Sequence, residues 1–399
     1  MSPKFLHSPF CILHSAFCIL YTVAVRIAID VRKYQDFGIG TYIRNVVRQL
    51  ARTDHDTEYV LLCRPQDREG LSALPPNFRA VVEPSRPYSV AEQVSIPMAL
   101  RREHADLFHA PHYVLPPLIH CRSVVTIHDI IHLVFPQYLP GRLAYAYARA
   151  SLWTAAHRSD RILTVSETSK LDILRRFRVP ADKITVVYNA IDDRLLVTPG
   201  EDDVERVRVR YQLRDPFALY VGNIKPHKNL ERLIEAFDCL RREPGFEALK
   251  LIIIGDQISK YQGLRRAVHE HKLHKAVRFF GFVPLETLAV LYRLAGVFVF
   301  PSLYEGFGLP PLEAMACGVP VVTSNVSSLP EVVGEGAILV DPYDPRSIAE
   351  GMRAALTDGE LRDRLREKGL ARAREFSWER SVACVRQVYE EVMQQAQPI

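Results

Sequence analysis

Short apolar segments alternate with helical patterns along almost the entire chain, and this alternation restricts the folds that the chain can adopt. The first half contains these segments at Arg26–Asp30, Tyr59–Cys63, Ala80–Glu83, Leu107–Ala110, Ser123–Ile127, Arg161–Val165 and Ile184–Val187. The second half contains them at Phe217–Val221, Leu249–Ile254, Val277–Phe280, Gly296–Phe300, Val319–Thr323 and Ala337–Val340. Apolar runs of this kind are typical of parallel strands that helices cover on both sides. The sequence therefore predicts an α/β protein with parallel sheets layered between helices.

A charged segment divides this pattern into two domains. Residues 198–216 read TPGEDDVERVRVRYQLRDP and predict a linker followed by a short helix. We place the first domain at residues 25–195 and the second at residues 196–375. An amphipathic pattern over Glu379–Gln395 predicts one more helix within residues 376–399.

The first 24 residues do not fit the alternation. HSPFCIL at residues 7–13 is followed at once by HSAFCIL at residues 14–20, and Phe5–Val25 contains no charged side chain. By its length this stretch suits a membrane span or a signal anchor. The first predicted strand follows without a linker, so we favour a repeat-like extension outside the fold, with the anchor as the alternative.

Composition and charge exclude several classes of protein. The chain has 399 residues, of which 48% are hydrophobic and 24% are charged, as in ordinary globular proteins. Its net charge is +5, and residues 25–195 contain 23 Lys and Arg against 18 Asp and Glu. A basic first domain suits contact with an anionic membrane or acceptor. No basic patch interleaved with aromatic residues indicates nucleic-acid binding.

Cysteine and carboxylate spacing gives no indication of a metal. The seven cysteines show neither a CxxC pair nor a Cys/His spacing typical of metal sites, which favours a reduced, cytoplasmic compartment. Asp54-His55-Asp56 formally matches a metal-binding carboxylate pair, but no neighbouring ligands complete an oxygen cage. We interpret it as a surface turn and predict no metal.

The stretch PSLYEGFGLPPLEAMACG, residues 301–318, follows the apolar run Gly296–Phe300 and carries the clearest chemical pattern. Its glycines permit a tight loop, its prolines fit the first turn of a helix and a last glycine fits the helix end. These positions are Gly306, Gly308, Pro310, Pro311 and Gly318. The stretch therefore predicts a strand, a glycine loop and a short helix.

Two glutamates and a set of free amides characterise this unit. Because proline has no N–H, the free amides at the helix start are those of Phe307, Gly308 and Leu309, and such amides suit oxygen-rich ligands. Glu313 can accept hydrogen bonds from two vicinal hydroxyls. Glu305 lies in the loop, where charge can develop on a bound sugar.

The E-x7-E arrangement in PSLYEGFGLPPLEAMACGVPVV resembles the C-terminal signature of the family-four retaining glycosyltransferases, which are nucleotide-sugar-dependent enzymes of the GT-B type. The resemblance covers nearly everything from residue 25 onward. It implies two Rossmann-like domains that face a cleft, and a C-terminal helix that returns to the first domain.

The resemblance also implies donor contacts in the second domain. Lys228 resembles the family lysine that grips the donor diphosphate, and Glu313 would hold the ribose. An arginine usually follows the family's "VG", but this chain has Asn223 there, which leaves Lys225 or His227 as the second phosphate partner. The remaining donor positions are the amides of Gly306, Phe307, Gly308 and Leu309, the turn at Val283 for the base, and Gly40 in the glycine loop of the first domain.

Residues at the carboxyl ends of predicted strands of the first domain are further candidates, and Ser166, at the end of another of these strands, is expected to cap the following helix. His128 resembles the family histidine that contacts the donor sugar, and we place it with Glu305 and Lys228 in the catalytic group. Asp129 would orient the His128 ring or line the acceptor groove. His109 is a second acceptor-side candidate. For each histidine the alternative is a hydrogen bond that serves only the fold.

The resemblance implies transfer of a hexose from a nucleoside diphosphate sugar to a glycan or lipid-linked acceptor, without a cofactor. YVGNIKPHKNL and LYEGFGLPPLEAMACG look most like the bacterial mannosyltransferase branch, which favours GDP-mannose as donor. The enzyme would be cytoplasmic and peripheral at the inner face of the membrane. A GT-B-like nucleotide-sugar isomerase or epimerase and a catalytically idle binding module are the alternatives.

Overall fold

The computed structural model describes residues 25–36, 38–213, 216–255 and 261–395. The predicted repeat-like extension at residues 1–24 lies outside the described residues. No helix among the described residues is long and apolar enough to cross a membrane.

All strands predicted from the apolar segments are present, and every strand pair is parallel. The first sheet has the order β3-β2-β1-β4-β5-β6-β7. Its strands are β1 (Arg26–Asp30), β2 (Glu58–Cys63), β3 (Phe78–Val82), β4 (Leu107–Ala110), β5 (Arg122–Thr126), β6 (Arg161–Thr164) and β7 (Ile184–Val186).

The second sheet has the order β10-β9-β8-β11-β12-β13. Its strands are β8 (Phe217–Val221), β9 (Lys250–Ile254), β10 (Val277–Phe280), β11 (Val297–Phe300), β12 (Val321–Ser324) and β13 (Ala337–Val340). The prediction of two Rossmann-like parallel sheets is confirmed.

Helices connect the strands. They are α1 (Ile39–Thr53), α2 (Arg68–Leu71), α3 (Glu92–Arg102), α4 (Ile131–Val134), α5 (Arg142–Arg158), α6 (Glu167–Phe177), α7 (Glu201–Tyr211), α8 (Leu230–Arg241), α9 (Gln262–Glu270), α10 (Leu285–Leu294), α11 (Leu309–Ala316), α12 (Leu329–Val333), α13 (Pro345–Thr357), α14 (Gly359–Ala373) and α15 (Trp378–Gln394). The predicted start of α6 is confirmed, because the Ser166 hydroxyl accepts a hydrogen bond from the Ser169 amide.

Different helices cover the two faces of the first sheet. Buried side chains of α1 and α15 belong to one apolar cluster, which continues into the second domain. Buried side chains of α3, α5 and α6 form a separate cluster on the other face. The last helix therefore returns to the first domain, as predicted.

The carboxyl ends of the two sheets face each other. Ser166, which follows β6, donates from its hydroxyl to the Gly306 carbonyl, which follows β11, at 2.7 Å. Tyr304 of the second domain donates from its hydroxyl to Asp172 of α6 at 2.8 Å. Polar groups that follow strands in both domains thus meet in one cleft, where parallel α/β proteins bind their ligands.

Candidate active site

The glycine loop and α11 have the predicted local geometry. Pro310 and Pro311 occupy the first turn of α11, and Gly318 follows its end with a φ of 73°. Gly308 has a φ of 104°, which favours glycine over any residue with a side chain. Gly306 is not among the residues with positive φ, so the tight turn does not account for this second glycine.

Two serines hold the loop that carries Glu305. The Ser327 hydroxyl donates to the Glu305 carbonyl at 2.7 Å and accepts from the Glu305 amide at 3.1 Å. The Ser328 hydroxyl donates to the carbonyls of Glu305 and Phe307, each at 2.9 Å. Neither serine was predicted, although a polar Ser-Asn-Val-Ser-Ser run directly after an apolar strand was a usable signal.

Lys228 and Glu305 form an ion pair. The Lys228 Nζ lies 2.5 Å from a Glu305 carboxylate oxygen, and each side chain is 13% exposed. The same ammonium lies over the Phe300 ring at 5.1 Å from its centroid. The structure thus brings together two residues that we predicted for adjacent parts of the donor, the diphosphate and the sugar.

Glu313 is held by a buried tyrosine. The Tyr292 hydroxyl donates to a Glu313 carboxylate oxygen at 2.9 Å. Burial raises the pKa of Glu313 to about 7, the Tyr292 hydrogen bond opposes that rise, and the Asp192 charge adds to it. Near neutral pH this carboxyl therefore exchanges between a charged form that only accepts hydrogen bonds and a neutral form that also donates one.

We expect this titration to appear in nucleotide binding. The ionised Glu313 accepts from vicinal hydroxyls better than the neutral form, so affinity for a nucleoside diphosphate should fall as the pH drops below about 7. Isothermal calorimetry between about pH 6 and about pH 8 measures the slope. The Glu313→Gln protein supplies the control, because it lacks the Glu313 carboxyl and keeps every other titrating group. An identical slope in both proteins contradicts the prediction.

The amides predicted to hold the sugar hydroxyls are available. In the part of the chain that the structure describes, the backbone N–H groups of Gly306, Phe307, Gly308 and Leu309 have no hydrogen-bond partner. The Phe307 ring is buried and packs on Tyr188 and Phe376, so only the backbone of Phe307 is offered to a ligand.

The other predicted donor residues lie around the same cleft or lead to it. Asn223 and Lys225 follow β8, and the Lys225 side chain is exposed. Val283 is buried in the turn after β10, next to Phe282, which is 76% exposed. Gly40 lies in the first turn of α1, where a Cβ would come within 2.8 Å of the Lys33 carbonyl. Their contacts with a donor stay predictions.

His227, one of the two residues named as second phosphate partner, lies in an environment that disfavours its charged form. The side chain is buried, and burial lowers its pKa to about 3, with the charges of Lys228 and Lys225 adding to that shift. The ring is therefore neutral at pH 7 and supplies no positive charge. Asn229, which precedes α8, does not cap that helix through its side chain, because its side-chain amide donates to the carbonyls of Pro301 and Pro342.

His128 lies at the cleft, but Asp129 does not orient its ring. The His128 Nε2 donates to the Pro111 carbonyl at 3.0 Å, while Asp129 accepts from the Ile131 amide at 2.9 Å. Burial lowers the pKa of His128. The His128 carbonyl lies against Gly306, where an added Cβ would come within 2.3 Å of its oxygen.

His109 is not an acceptor-side residue in this structure. It is fully buried, its Nε2 lies 2.8 Å from the Thr126 hydroxyl, and its Nδ1 lies 2.6 Å from the Tyr389 hydroxyl of α15. Burial lowers the pKa of His109 to about 3. Both ring nitrogens are thus used inside the fold, and the alternative of a histidine that serves only the fold is the correct one.

A second unpredicted set of contacts joins the two domains beside the cleft. The Glu331 carboxylate accepts from the backbone amides of Glu167 and Thr168 at 2.7 and 2.9 Å, so a residue of the second domain caps α6 of the first. Asp54, in the pattern interpreted as a surface turn, is also buried and accepts from Tyr59 and Thr57. The Glu331 contacts join residues that are 164 and 163 positions apart, so they leave no local sequence signal.

Two family models match this chain. "Glycosyltransferase Family 4" matches residues 38–195, and "Glycosyl transferases group 1" matches residues 202–372. The first match covers β2 to β7, and the second covers β8 to β13.

Among curated proteins, the O-antigen chain mannosyltransferase B of Escherichia coli is 39% identical over 283 residues, which cover 70% of this chain and 73% of that protein. The serotype-specific mannosyltransferase WbdA of Escherichia coli is 30% identical over 259 residues, which cover 64% of this chain but only 32% of that protein. The chain therefore matches about a third of the longer relative.

Solved structures with low sequence identity share the fold. The sucrose-phosphate synthase of Thermosynechococcus elongatus has a TM-score of 0.76 at 22% identity and covers 93% of this chain and 100% of its own. Anabaena Alr3699/HepE in complex with UDP and glucose has a TM-score of 0.75 at 18% identity, with coverages of 92% and 100%. WaaG, a glycosyltransferase involved in lipopolysaccharide biosynthesis, has a TM-score of 0.73 at 18% identity, with coverages of 91% and 99%. The predicted GT-B architecture is confirmed.

Proposed function

We propose, from the premise that the chain belongs to the family-four glycosyltransferases and is a nucleotide-sugar-dependent enzyme, that it transfers mannose from GDP-mannose to a glycan or lipid-linked acceptor with retention of configuration. Mannosyltransferases recur among its relatives. The product class is accordingly a surface polysaccharide, assembled at the cytoplasmic face of the membrane.

The Lys228–Glu305 ion pair carries this proposal. The ammonium balances the carboxylate at 2.5 Å. A bound diphosphate competes for the same ammonium, because phosphate oxygens accept strong charge-assisted hydrogen bonds. Glu305 is then left facing the sugar, where positive charge develops as the bond to the diphosphate breaks. The two residues thus act in sequence on leaving group and sugar.

The remaining donor contacts follow from the same arrangement. Glu313 receives the ribose hydroxyls, and the free amides from Gly306 to Leu309 receive hydroxyls of the sugar. His128 approaches the sugar from the first domain. Lysine and backbone amides supply the positive charge, so the proposed reaction uses neither a metal nor another cofactor.

The acceptor side of the proposal rests on an exposed face of the first domain, formed by α3 and α5. Val94 and Met98 lie one turn apart on α3 and are 62% and 66% exposed, and Val90 just before the helix is 79% exposed. Helix α5 contributes Leu143 at 88% and Trp153 at 51%. Single exposed apolar residues are ordinary, but a set on two neighbouring helices is not.

This face is basic as well as apolar. Helix α5 contains three exposed arginines and no acidic residue, and α3 ends on two more arginines; they are Arg142, Arg149, Arg158, Arg101 and Arg102. The two helices are joined where Tyr147 of α5 donates to the buried Glu92 of α3 at 2.9 Å. Apolar and cationic side chains on one face match an anionic membrane surface that carries the lipid-linked acceptor.

We expect GDP to raise the melting temperature more than UDP does, and GDP-mannose to be consumed with release of GDP only when an acceptor is supplied. A ligand at 100 times its Kd adds about 2.7 kcal/mol of stability, which thermal shift readily detects. Lipid-linked glycan in anionic vesicles should support faster transfer than the same acceptor in neutral vesicles, with protein co-sedimenting only with the anionic ones.

Two results reject parts of this proposal. If only UDP or a UDP-sugar stabilises the protein, GDP-mannose is not the donor. If the nucleotide sugar is isomerised without an acceptor, the reaction is not a transfer. The anomeric configuration of the product, read by NMR, tests retention directly.

A further inference from the structure

A cavity of about 1040 Å³ lies between the domains, away from the donor residues. Its walls are the end of α1, the linker after β7, the end of α11, part of α14 and the start of α15. None of the residues predicted for the donor lines it. Ala316 and Cys317 at the end of α11 line the cavity, and Glu313, which we assign to the donor ribose, lies about one turn earlier on the same helix.

The cavity is rich in arginine. Arg52 comes from the first domain, and Arg293, Arg366 and Arg374 come from the second. Two acidic residues, Asp193 and Glu379, also line it, which leaves a net charge of 4 − 2 = +2.

None of these arginines is neutralised by a neighbour. Within the described residues no ion pair includes any of the four, and the side chains of Arg52 and Arg374 make no hydrogen bond. Arg293 and Arg366 donate to the carbonyls of Leu195 and Gly318, which fixes their position without cancelling their charge.

The start of α15 adds unused donors. Trp378 lines the cavity and is 4% exposed, and its indole Nε1 has no hydrogen-bond partner among the described residues. The Nε1 atom itself is out of reach of solvent, so it is not a donor for a ligand in the cavity. Ser377 precedes this 17-residue helix without capping it through its side chain, so the first amides of α15 stay free.

We propose that this cavity binds a small phosphorylated anion, of the class of a phosphate ester or pyrophosphate, at a site separate from the donor cleft. Guanidinium groups bind phosphate oxygens in a bidentate manner, and the cavity is of the size that small ligands occupy. Because Arg52 lies in one domain and Arg374 in the other, the bound anion bridges the two domains. The site is independent of the donor specificity proposed above.

Trp378 permits a direct test. The chain has two tryptophans, so Trp153→Phe leaves Trp378 as the sole indole, placed in the wall of the cavity. Pyrophosphate is titrated into this protein and into its Lys228→Ala form, which lacks the main phosphate contact of the donor cleft, and the two forms should respond alike. We expect a saturable change in fluorescence. Adding Arg52→Gln and Arg374→Gln should weaken the apparent affinity by about 10-fold or more, since each removes a charge-assisted contact.

The control is Arg364→Gln, which removes one exposed arginine from the same helix as Arg366 but outside the cavity. It should leave the titration unchanged. Melting temperatures verify that the variants are folded, and each single variant is measured should the double one unfold. Three outcomes overturn the proposal: no saturable change, equal affinity in the double variant, or the same change with sodium chloride at equal ionic strength.

Discussion

The Glu305→Gln enzyme is expected to lose about 100-fold or more in kcat, while its affinity for a nucleoside diphosphate stays normal or increases. Glutamine keeps the shape of the side chain and removes the charge that faces the sugar. It also frees Lys228, which in the wild type must leave an ion pair at 2.5 Å before it can bind phosphate. Loss of rate with equal or tighter nucleotide binding distinguishes a group that acts as charge develops from one that merely binds.

Steady-state kinetics with calorimetry on the same protein measure both quantities. Glu335→Gln is the matched control, since it removes a carboxylate that pairs with Lys368 on the surface of the same domain. Its kcat should not change. Near-full kcat in the Glu305→Gln enzyme, or loss of wild-type turnover in EDTA, would contradict the role given to Glu305.

Lys228→Ala is expected to weaken nucleoside diphosphate binding by about 10- to 150-fold and nucleoside monophosphate binding much less. The range corresponds to the roughly 1.5–3 kcal/mol that a charged hydrogen bond contributes. Part of the loss has a second cause, because the variant leaves the Glu305 carboxylate, 13% exposed, without its cation and close to the incoming phosphates.

A double-mutant cycle separates the two causes. Adding Glu305→Gln to Lys228→Ala removes the unpaired carboxylate and should recover part of the lost affinity. Lys225→Ala, at an exposed position, should show a smaller loss with the same preference for the diphosphate. Equal losses for mono- and diphosphate would instead mark Lys228 as a residue that only supports the fold.

The parts of this site that were predictable are local in sequence. The loop and the helix start are encoded by the backbone preferences of Gly308, Pro310 and Pro311, which do not depend on their neighbours. The two glutamates, Glu305 and Glu313, lie at fixed spacing on either side of them. The parallel sheets were predictable for a similar reason, since strands buried on both faces are apolar throughout.

The incorrect or missing parts depend on chain segments far apart. His109 lies at the carboxyl end of β4, as a ligand-binding residue would, yet its Nδ1 is hydrogen-bonded to Tyr389, which lies 280 residues further along the chain. Tyr292 opposes the rise in the pKa of Glu313 only because α10 and α11 pack together and bring its hydroxyl to the carboxylate. The spacing of residues in the sequence does not predict which strand end the last helix will cover. It also does not predict which distant carboxylate will accept hydrogen bonds from the first amides of a helix.

Gly306 determines how closely the two domains of the enzyme can approach each other. Its backbone is of a kind that any amino acid can adopt, so the loop itself does not demand glycine. Glycine is required because the His128 carbonyl, on the other side of the cleft, occupies the space that a side chain at position 306 would need. A single extra carbon there would keep the two domains from closing on each other. Each domain would keep its fold, and the second domain would still bind nucleotide.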